Sequence, residues 1–372
     1  MPDSFIHVRN LCKTFQVPKR REGISGAVID LFALRKDRLD AVQNVSFDIQ
    51  AGERVGYLGP NGAGKSTTIK MLTGILSPTS GEIRVGGLVP YQDRVGYVRN
   101  IGVVFGQKSG LWWELAPIES FRLLAKIYEV PDTDFEQRMK EFDEVLKLGR
   151  LMHTPVRKLS LGERMRCELA AGLLHNPRVI FLDEPTIGLD VLSKVAVREF
   201  LRHINTSRGT TLILTTHDLK DVEELTPRII IIDHGKILFD GATSAVRQRL
   251  RETEGIDFRL KLILRDEWPA GTQPSAAFAA LPVALKVTSP LELSVSFLPE
   301  KIERGELVRA LFAEIDAHKN SVVDLQFIEP QIEDIIRRLY TESSDAEGNK
   351  ALLAAQAAAD SSKERAEALA KK

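Results

Sequence analysis

Short apolar runs alternate with segments of helical periodicity along the first two thirds of the chain. Two of these runs, residues 101–105 and 179–182, are almost wholly apolar and end at polar or glycine residues. Similar runs that we interpret as strands are residues 53–58, 210–216 and 228–233. Residues 120–151 instead place apolar side chains at helical spacing, in two stretches that Pro131 separates. Short buried strands separated by helices predict an α/β core with a parallel sheet, in which ligands bind at the carboxyl ends of the strands.

Three further segments predict strands. Residues 6–15 predict an edge strand that ends at Phe15, and residues 42–49 and 82–85 predict two more strands. Residues 27–34 have the pattern of a short amphipathic helix whose basic flanks include Lys19, Arg20 and Arg21. Such a segment can contact lipid headgroups or a membrane-embedded partner, or it can be a connection that packs on the sheet.

The pattern changes towards the C-terminus. Residues 256–264, 291–298 and 322–328 predict strands, residues 306–315 and 333–340 predict helices, and Pro269, Pro274 and Pro282 mark loops. We therefore predict a small α+β domain at residues 244–341, for which we expect a role in dimerisation or regulation. Residues 342–372 are rich in Ala, Lys and Glu, which predicts a frayed helix or a disordered tail.

Composition narrows the function classes. The 372 residues include 51 basic and 51 acidic ones, and this net charge of zero argues against a general nucleic-acid-binding protein. Cys12 and Cys167 are the only cysteines, so the sequence suggests neither a disulfide framework nor a cysteine metal site and fits a reducing cytoplasm. We expect neither a signal peptide nor a transmembrane helix, because the sequence has no signal-peptide pattern and no uninterrupted apolar run of about 18 residues. A role at a membrane would therefore require a partner.

One stretch at the end of a predicted strand carries phosphate-binding chemistry. It fits the pattern Gly-x-x-x-x-Gly-Lys-Ser/Thr and comprises Gly59, Pro60, Asn61, Gly62, Ala63, Gly64, Lys65, Ser66 and Thr67. Glycines let successive backbone N–H groups point at phosphate oxygens, and the helix predicted after the loop adds its positive N-terminus. We expect Lys65 to reach the β- and γ-phosphates and Ser66 to bind Mg²⁺. The alternative, a glycine-rich turn with an incidental lysine, would require the loop and both flanks to coincide by chance.

Polar residues follow three other predicted strands, and we expect them at the same edge of the sheet. Asp183 is expected to hold Mg²⁺, and Glu184 to polarise the water that attacks the γ-phosphate. Gln107 can offer its amide oxygen to Mg²⁺ or to that water, and a neutral His217 can hydrogen-bond the γ-phosphate. The alternative is that Asp183 and Glu184 are simply polar residues at the end of a strand and have no catalytic role. A lone histidine at a strand end is more often structural, so the case for His217 rests on the other candidates.

Ser160 and Gly162 lie at the start of another predicted helix, for which Ser160 is a good N-cap. A helix N-terminus is an anion site, yet the phosphates are already assigned to the loop that contains Lys65. Two copies of the chain arranged head to tail would place the helix start of one copy over the nucleotide of the other. An ordinary capped helix fits the same residues equally well.

These motifs together resemble the nucleotide-binding subunit of an ABC transporter. The ordered set is Walker A at 59–67, the Q-loop at Gln107, the signature at 159–163, Walker B at 179–184, the D-loop at 188–190 and the switch histidine at His217. The resemblance covers about residues 4–242 and is greatest for ATP-binding subunits of exporters with separate membrane subunits, of the drug or NatA-like kind. It implies an ABC-type nucleotide-binding domain at residues 1–243, with a P-loop NTPase core, an antiparallel β subdomain and a helical subdomain at about 109–177.

The resemblance also implies a head-to-tail dimer with two ATP molecules. Each ATP lies between Walker A of one copy and the signature of the other, so that Ser160, Gly162 and the D-loop residue Asp190 belong to the nucleotide site. Phe15, or another nearby aromatic residue, is implied to stack on adenine.

Two signature positions depart from the family pattern. Leu161 stands where Gly is usual, and Glu163 stands where Gln is usual. The negative charge of Glu163 near a phosphate is expected to be unfavourable unless the side chain faces Arg164 or Arg166. Because the serine and the second glycine of the motif remain, we predict an active ATPase.

We therefore predict an ATP-hydrolysing subunit that energises an ABC transporter through integral membrane permease subunits, at the cytoplasmic face of the inner membrane. Export is favoured, and the alternatives are import and a soluble ABC ATPase outside transport. The helical subdomain is implied to receive a helix of the permease, and Trp112 and Trp113 are candidates for that contact or for burial in the subdomain core. We expect no membrane span in the chain itself and no nucleic-acid partner.

Overall fold

The computed structural model describes residues 4–18, 36–106, 109–216, 219–246, 258–269, 271–297 and 301–328. It divides the chain into two compact units, Met1–Thr243 and Ser244–Lys372. The helices predicted at 27–34 and 333–340, the basic residues Lys19, Arg20 and Arg21, and the tail at 342–372 lie outside the described residues.

The described part of the first unit contains strands and helices in alternation. Its strands are β1 (Ile6–Pro18), β2 (Lys36–Ile49), β3 (Arg54–Leu58), β4 (Ser80–Val85), β5 (Ile101–Phe105), β6 (Val179–Asp183), β7 (Thr211–Thr216), β8 (Arg228–Asp233) and β9 (Lys236–Ala242). Its helices are α1 (Lys65–Leu72), α2 (Arg94–Val98), α3 (Pro117–Ile127), α4 (Asp132–Leu146), α5 (Leu161–Leu173), α6 (Val191–Arg208) and α7 (Leu219–Leu225). Short 3-10 turns at Gly149–Leu151 and Val156–Lys158 connect α4 to α5.

The central sheet has the strand order β5-β6-β7-β3-β8-β9, and its neighbours are parallel except for the antiparallel pair β8–β9. Its inner strands are buried on both faces. In β6, Ile180 and Leu182 join the apolar cluster that the helices form, while Val179 and Phe181 join the cluster formed with the second sheet. Burial on both faces explains why these strands are uninterrupted apolar runs. The sequence prediction ended this sheet at residue 233 and missed β9, whose half-exposed residues lack such a run.

The second sheet has the order β2-β1-β4 and is antiparallel throughout. The prediction that β1 is an edge strand is wrong, because Ile6 pairs with Ile49 of β2 on one side and with Val85 of β4 on the other. The strand also continues beyond Phe15 to Pro18, where it pairs with the early part of β2. Alternation along a strand reports which face is buried, and it carries no information about the number of neighbouring strands.

The helix bounds follow local signals. α3 begins with Pro117 in its first turn, and Pro131 precedes α4, which confirms the two predicted helices and their separation. α6 begins after the N-cap Asp190 and ends at Gly209, whose φ of 67° is the left-handed conformation that closes a helix. None of the helices within the described ranges combines the length and the apolarity needed to cross a membrane.

The described part of the second unit is an antiparallel sheet with helices. Its strands β10 (Phe258–Leu264), β11 (Val283–Ser289), β12 (Glu292–Phe297) and β13 (Val322–Ile328) lie in the order β11-β12-β10-β13. Its helices are α8 (Ala276–Ala279) and α9 (Arg304–Ala317), and α9 contains the predicted helix at 306–315. Pro269, Pro274 and Pro282 lie in loops, as predicted, but the sequence prediction missed α8 and β11, which lie between and after these loops. β11 was missed because most of its residues are exposed and its pattern is correspondingly weak.

Candidate nucleotide-binding site

The phosphate loop joins the end of β3 at Leu58 to the start of α1 at Lys65. Gly64 precedes the helix with a φ of 103°, and a Cβ atom on it would lie 2.4 Å from the carbonyl oxygen of Ala41. Only glycine fits both the backbone conformation and this close approach. The loop therefore leads into a helix N-terminus whose free N–H groups can bind phosphate oxygens.

Lys65 lies inside this loop. Its Nζ donates hydrogen bonds to the carbonyl oxygens of Gly59 at 2.5 Å and Pro60 at 3.0 Å, and the residue is 6% exposed. Burial lowers the pKa of Lys65, while the nearby charges of Glu184 and Asp183 act in the opposite direction. The two carboxylates therefore favour the charged ammonium group that a phosphate would meet.

Asp183 lies at the end of β6 between two hydroxyl groups. Ser66 Oγ donates to Asp183 Oδ2 at 3.3 Å, and Thr215 Oγ1 donates to Asp183 Oδ1 at 2.5 Å. Hydroxyl and carboxylate oxygens are the ligands that Mg²⁺ prefers, and Mg²⁺ usually takes only one or two of them from the protein beside substrate phosphates. The pair of Ser66 and Asp183 fits that ion. Across the described residues no group of three or more His, Cys, Asp or Glu side chains could hold a metal ion.

Glu184 has an unusual backbone. Its φ is 52°, in the left-handed region that non-glycine residues rarely adopt. Its N–H donates to the carbonyl oxygen of Thr215 at 2.9 Å, and Thr215 Oγ1 lies 3.2 Å from the same nitrogen. Such a conformation persists only where the surrounding structure holds it, and it is found most often at functional sites.

These residues line one cleft of about 580 Å³. Its polar part contains the phosphate loop, Asp183 and Glu184, and its apolar part contains Phe15, Leu39 and Ile75. Phe15 of β1 is half-buried and is paired in register with Leu39 of β2. Sequence reasoning singled out Phe15, but it missed Leu39 and Ile75, which give no motif signal. An aromatic ring at one end and phosphate ligands at the other suit a nucleotide.

The start of α5 is capped on both sides. Ser160 Oγ accepts from the N–H of Glu163 at 3.2 Å, and Glu163 Oε2 accepts from the N–H of Ser160 at 3.0 Å. The ion pair of Glu163 is with Arg150 at 2.9 Å, and of the two arginines named from the sequence, Arg166 contributes its positive charge. The hydrogen bond from the Ser160 backbone, with a contribution from the charge of Arg150, lowers the pKa of Glu163. The carboxylate therefore serves the helix start as a capping box.

The signature and the D-loop are in direct contact. A Cβ atom on Gly162 would lie 2.3 Å from Ser193 Oγ and 3.4 Å from Asp190 Oδ2. Asp190 caps α6 by accepting from Ser193 N at 2.9 Å and from Ser193 Oγ at 2.6 Å. Among the described residues, the lining of the cleft includes neither Ser160 nor Gly162.

Comparison with known proteins decides the family. The family described as ABC transporter matches residues 42–187. The linearmycin resistance ATP-binding protein LnrL of Bacillus subtilis (strain 168) is 32% identical over 304 residues, which cover 80% of this chain and 93% of LnrL. The chain belongs to the ABC transporter ATP-binding proteins. The probable multidrug ABC transporter ATP-binding protein YbhF of Escherichia coli (strain K12) is 34% identical over 241 residues, or 63% of this chain and 41% of YbhF.

Solved structures agree with this assignment. The dimeric structure of an ATP-binding cassette in a post-hydrolysis state, bound to ADP and Pi, has a TM-score of 0.53 and 26% identity, covering 64% of this chain and 98% of that one. The structure of an ATP-binding subunit of an ABC transporter has a TM-score of 0.56 at 24% identity, covering 66% of this chain and 93% of that one, and shows the fold. The predicted P-loop NTPase fold is confirmed, and this ABC subunit is an ATP-binding ATPase.

Two predicted site residues of this ABC subunit, Gln107 and His217, lie outside the described residues. The two tryptophans that follow the Q-loop are described. Trp112 is 41% exposed and Trp113 is 50% exposed, so their predicted alternative, burial in the subdomain core, is wrong. Arg164 of α5 lies over the ring of Trp113 at 5.6 Å. Both rings are therefore available at the surface of the helical subdomain.

A buried carboxylate of α5 holds the segment after the Q-loop. Glu168 is 7% exposed; it accepts a hydrogen bond from the hydroxyl of Ser109 and one from the N–H of Gly110 at 3.0 Å. Burial raises the pKa of Glu168, and these donors partly oppose that effect. The signature helix and the start of the helical subdomain are thus joined by a contact that no sequence motif indicated.

A second buried network was also missed. Thr186, which follows Glu184 by two residues, donates its hydroxyl hydrogen to Asp221 Oδ2 of α7. Arg198 of α6 donates to the other oxygen, Asp221 Oδ1, through Nε at 2.7 Å. Burial alone would lower the pKa of Arg198, but the hydrogen bonds and negative charges of Asp221 and Glu224 together outweigh it, and the pKa is raised. The only sequence signal was a pair of opposite charges on two helices, and such charges usually face solvent.

Proposed function

We propose that this chain is the ATP-hydrolysing subunit of an exporter whose membrane subunits are separate chains. The relatives LnrL and YbhF, named for linearmycin resistance and for multidrug transport, support export. The match to LnrL covers 80% of this chain, so it extends beyond the first unit of 243 residues into the second. That shared extension is the observation that carries the proposal, because a likeness of the ATPase domain alone would fit importers equally well. We propose the corresponding domain division, with a nucleotide-binding domain at 1–243, an accessory domain at 244–341 and a tail at 342–372.

In this proposal the phosphate loop holds the phosphates of ATP. Lys65 moves its hydrogen bonds from the loop carbonyls to the β- and γ-phosphates, and the backbone N–H groups of residues 59–67 surround the remaining oxygens. Ser66, Asp183 and Gln107 would hold Mg²⁺, which neutralises charge on the phosphate oxygens when bound. Phe15 stacks on adenine at the apolar end of the cleft.

The hydrolytic step is assigned to two further side chains. Glu184 accepts a hydrogen bond from the attacking water and orients it towards the γ-phosphate. His217 hydrogen-bonds the γ-phosphate through a neutral imidazole. The left-handed backbone of Glu184 supports its assignment, since strained residues cluster where function requires one geometry.

A second copy completes the site. The cleft contains the phosphate loop but not the signature of the same copy, and Ser160 begins a capped helix with an anion-binding N-terminus. We place Ser160, Gly162 and Asp190 of one copy against the nucleotide of the other. The dimeric cassette with ADP and Pi supports this arrangement.

The membrane partner is proposed to dock on the helical subdomain. Exposed apolar side chains follow the Q-loop and continue on α3, namely Trp112, Trp113, Leu115, Leu123 and Ile127. Scattered exposed apolar residues are ordinary, but a cluster of large ones marks a contact surface. Through that contact the chain would lie at the cytoplasmic face of the inner membrane.

ATP hydrolysis by the purified full chain tests the proposal. We expect Glu184→Gln to lower the rate at least 100-fold, as loss of a general base does, while ATP binding persists and an ATP-dependent dimer accumulates in size-exclusion chromatography. Glu136→Gln, an exposed glutamate on α4, is the matched control and should hydrolyse at the wild-type rate. A wild-type rate no higher than that of Glu184→Gln would refute the catalytic proposal. Two adjacent genes for multi-span proteins without a solute-binding protein would favour export, and a binding protein would contradict it.

A further inference from the structure

We propose that Asp221 is a positioning residue for ATP hydrolysis, which holds the turn after Glu184 through the hydroxyl of Thr186. The inference rests on the proposed role of Glu184. Asp221 is fully buried and Thr186 is 1% exposed, and their side chains are hydrogen-bonded. Neither residue lines the cleft, so their effect on the reaction is indirect.

The turn needs such support because Glu184 is held in a costly conformation. A non-glycine residue in the left-handed region is strained and relaxes unless its neighbours prevent it. On the β7 side, the N–H of Glu184 is fixed by Thr215. On the other side, the N–H of Ile187 reaches the carbonyl oxygen of Glu184 at 3.3 Å, which is a long hydrogen bond. The Thr186–Asp221 bond is the buried side-chain contact that fixes this second side.

Asp221 is itself fixed by a cation. Arg198, 6% exposed, donates to Asp221 Oδ1 through Nε at 2.7 Å and contacts the same oxygen through Nη2 at 2.6 Å. Arg198 Nη1 lies 2.9 Å from Glu224 Oε2, so the guanidinium group joins two carboxylates of α7 to α6. Both oxygens of Asp221 are thus engaged, and the carboxylate cannot rotate away from Thr186 without breaking a charged hydrogen bond.

Stability alone does not account for this network. Moving an ion pair out of water costs several kcal/mol per ion, and apolar replacements of similar volume are often neutral or stabilising. The ion pair of Arg198 and Asp221 instead fixes the orientation of neighbouring helices and turns. Here it fixes the turn after Glu184, the helix α6 that Asp190 begins, and the helix α7 that starts two residues after His217. One carboxylate therefore joins the turn after Glu184 to both α6 and α7.

Thr186→Val tests the inference because it removes the hydroxyl and keeps the shape of the side chain. We expect kcat for ATP to fall about tenfold, with nucleotide affinity, measured with a fluorescent ATP analogue, unchanged within about twofold; this split separates positioning from binding. Thr186→Ser keeps the hydroxyl and should retain most of the activity. Thr226→Val is the matched control, since Thr226 is also buried and, among the described residues, its hydroxyl bonds to the backbone carbonyl oxygen of Val222 in α7 and to no side chain.

The decisive measurement is the residual ATP hydrolysis of the double variant that combines Thr186→Val with Glu184→Gln. If Thr186 acts through Glu184, then Thr186→Val should cause no further loss of residual hydrolysis in the Glu184→Gln variant, because effects on one unit do not add. Independent, multiplicative losses would overturn the inference, as would equal losses of kcat in Thr186→Val and Thr226→Val. Absence of hydrolysis in the wild-type chain would instead refute the proposed function. Wild-type hydrolysis with a normal Thr186→Val rate would refute the inference alone.

Discussion

The contact between the signature and the D-loop predicts that Gly162→Ala destabilises the protein. The same substitution should be neutral or stabilising once Ser193 is replaced by glycine. In Gly162→Ala the new Cβ would lie 2.3 Å from Ser193 Oγ and 2.8 Å from Ser193 Cβ. The Oγ atom can rotate away, at the cost of its hydrogen bond to Asp190, but the Cβ atom cannot. The start of α5 must therefore shift away from α6.

The size of the effect follows from two opposing contributions. Overpacking costs about 1–3 kcal/mol. Replacing a helical glycine by alanine gains up to about 1 kcal/mol. We expect Gly162→Ala to destabilise the first unit by about 1–2 kcal/mol, which lowers its melting temperature by about 2–8 °C. In the Ser193→Gly background the obstructing atoms are gone, so the same substitution should be neutral or stabilising by up to about 1 kcal/mol.

Thermal unfolding of the four full-length proteins measures this double-mutant cycle. Because the chain has two compact units, the transition of the first unit is identified as the one that ATP shifts upward. The expected coupling energy is about 2 kcal/mol, well above the deviation from additivity of independent sites. Equal effects of Gly162→Ala in both backgrounds would show that the two helix starts are not in contact. In solution the single variant should also form less ATP-dependent dimer, and Ser193→Gly should restore part of it.

Two further predictions concern the capped helix and the apolar end of the cleft. The folded pKa of Glu163 lies below its ordinary value of about 4.5, so its capping contribution is present above that pH and is lost as the pH falls through the folded pKa. Glu163→Gln keeps the hydrogen bond to Ser160 and should flatten the melting temperature between about pH 5 and pH 3; an unchanged pH profile would contradict the capping box. Phe15→Ala should weaken ATP binding about tenfold, since stacking of a base on an aromatic side chain contributes roughly 1–3 kcal/mol, and Phe15→Trp should retain the affinity. A fluorescent-nucleotide titration distinguishes these outcomes from Leu39→Ala, which removes only apolar contact.

The features that could be predicted from the sequence are those encoded by contiguous residues, namely the phosphate loop and the apolar strands. The phosphate loop is one run of nine residues, and the structure places its Ser66 against Asp183, 117 residues away, as strand ends at one edge of a sheet should be. The apolar strands were predicted well because burial on both faces leaves an unmistakable run. Thr215 was missed, although its hydroxyl holds Asp183, because a threonine inside an apolar strand gives no signal of function.

Other features depended on pairings that local patterns do not encode. β1 is central because both β2 and β4 reach it, and neither pairing is written in its alternation. The ion pair of Glu163 is with Arg150, in the turn before α5, whereas proximity in sequence had suggested its helical neighbours. The buried pair of Arg198 and Asp221 resembled ordinary surface charges until the packing of α6 on α7 enclosed it.

The two unusual residues of the signature, Leu161 and Glu163, stabilise the start of α5 and do not indicate a loss of ATPase activity. Glu163 forms a reciprocal cap with Ser160 and a salt bridge with Arg150, so its charge is engaged at the helix start. Leu161 lies against the D-loop, where a Cβ atom on Gly188 would be 2.9 Å from its Cδ2 atom. A glycine at this position would leave that contact unmade, and it would also lower the rigidity of the first helical turn. Leu161 thus holds the signature against the D-loop, and Glu163 holds the first turn of α5 in place. In the proposed dimer these elements face the nucleotide of the second copy, so preorganising them would reduce the entropy lost on dimerisation. On this reasoning a return to Gly at position 161 should weaken the ATP-dependent dimer.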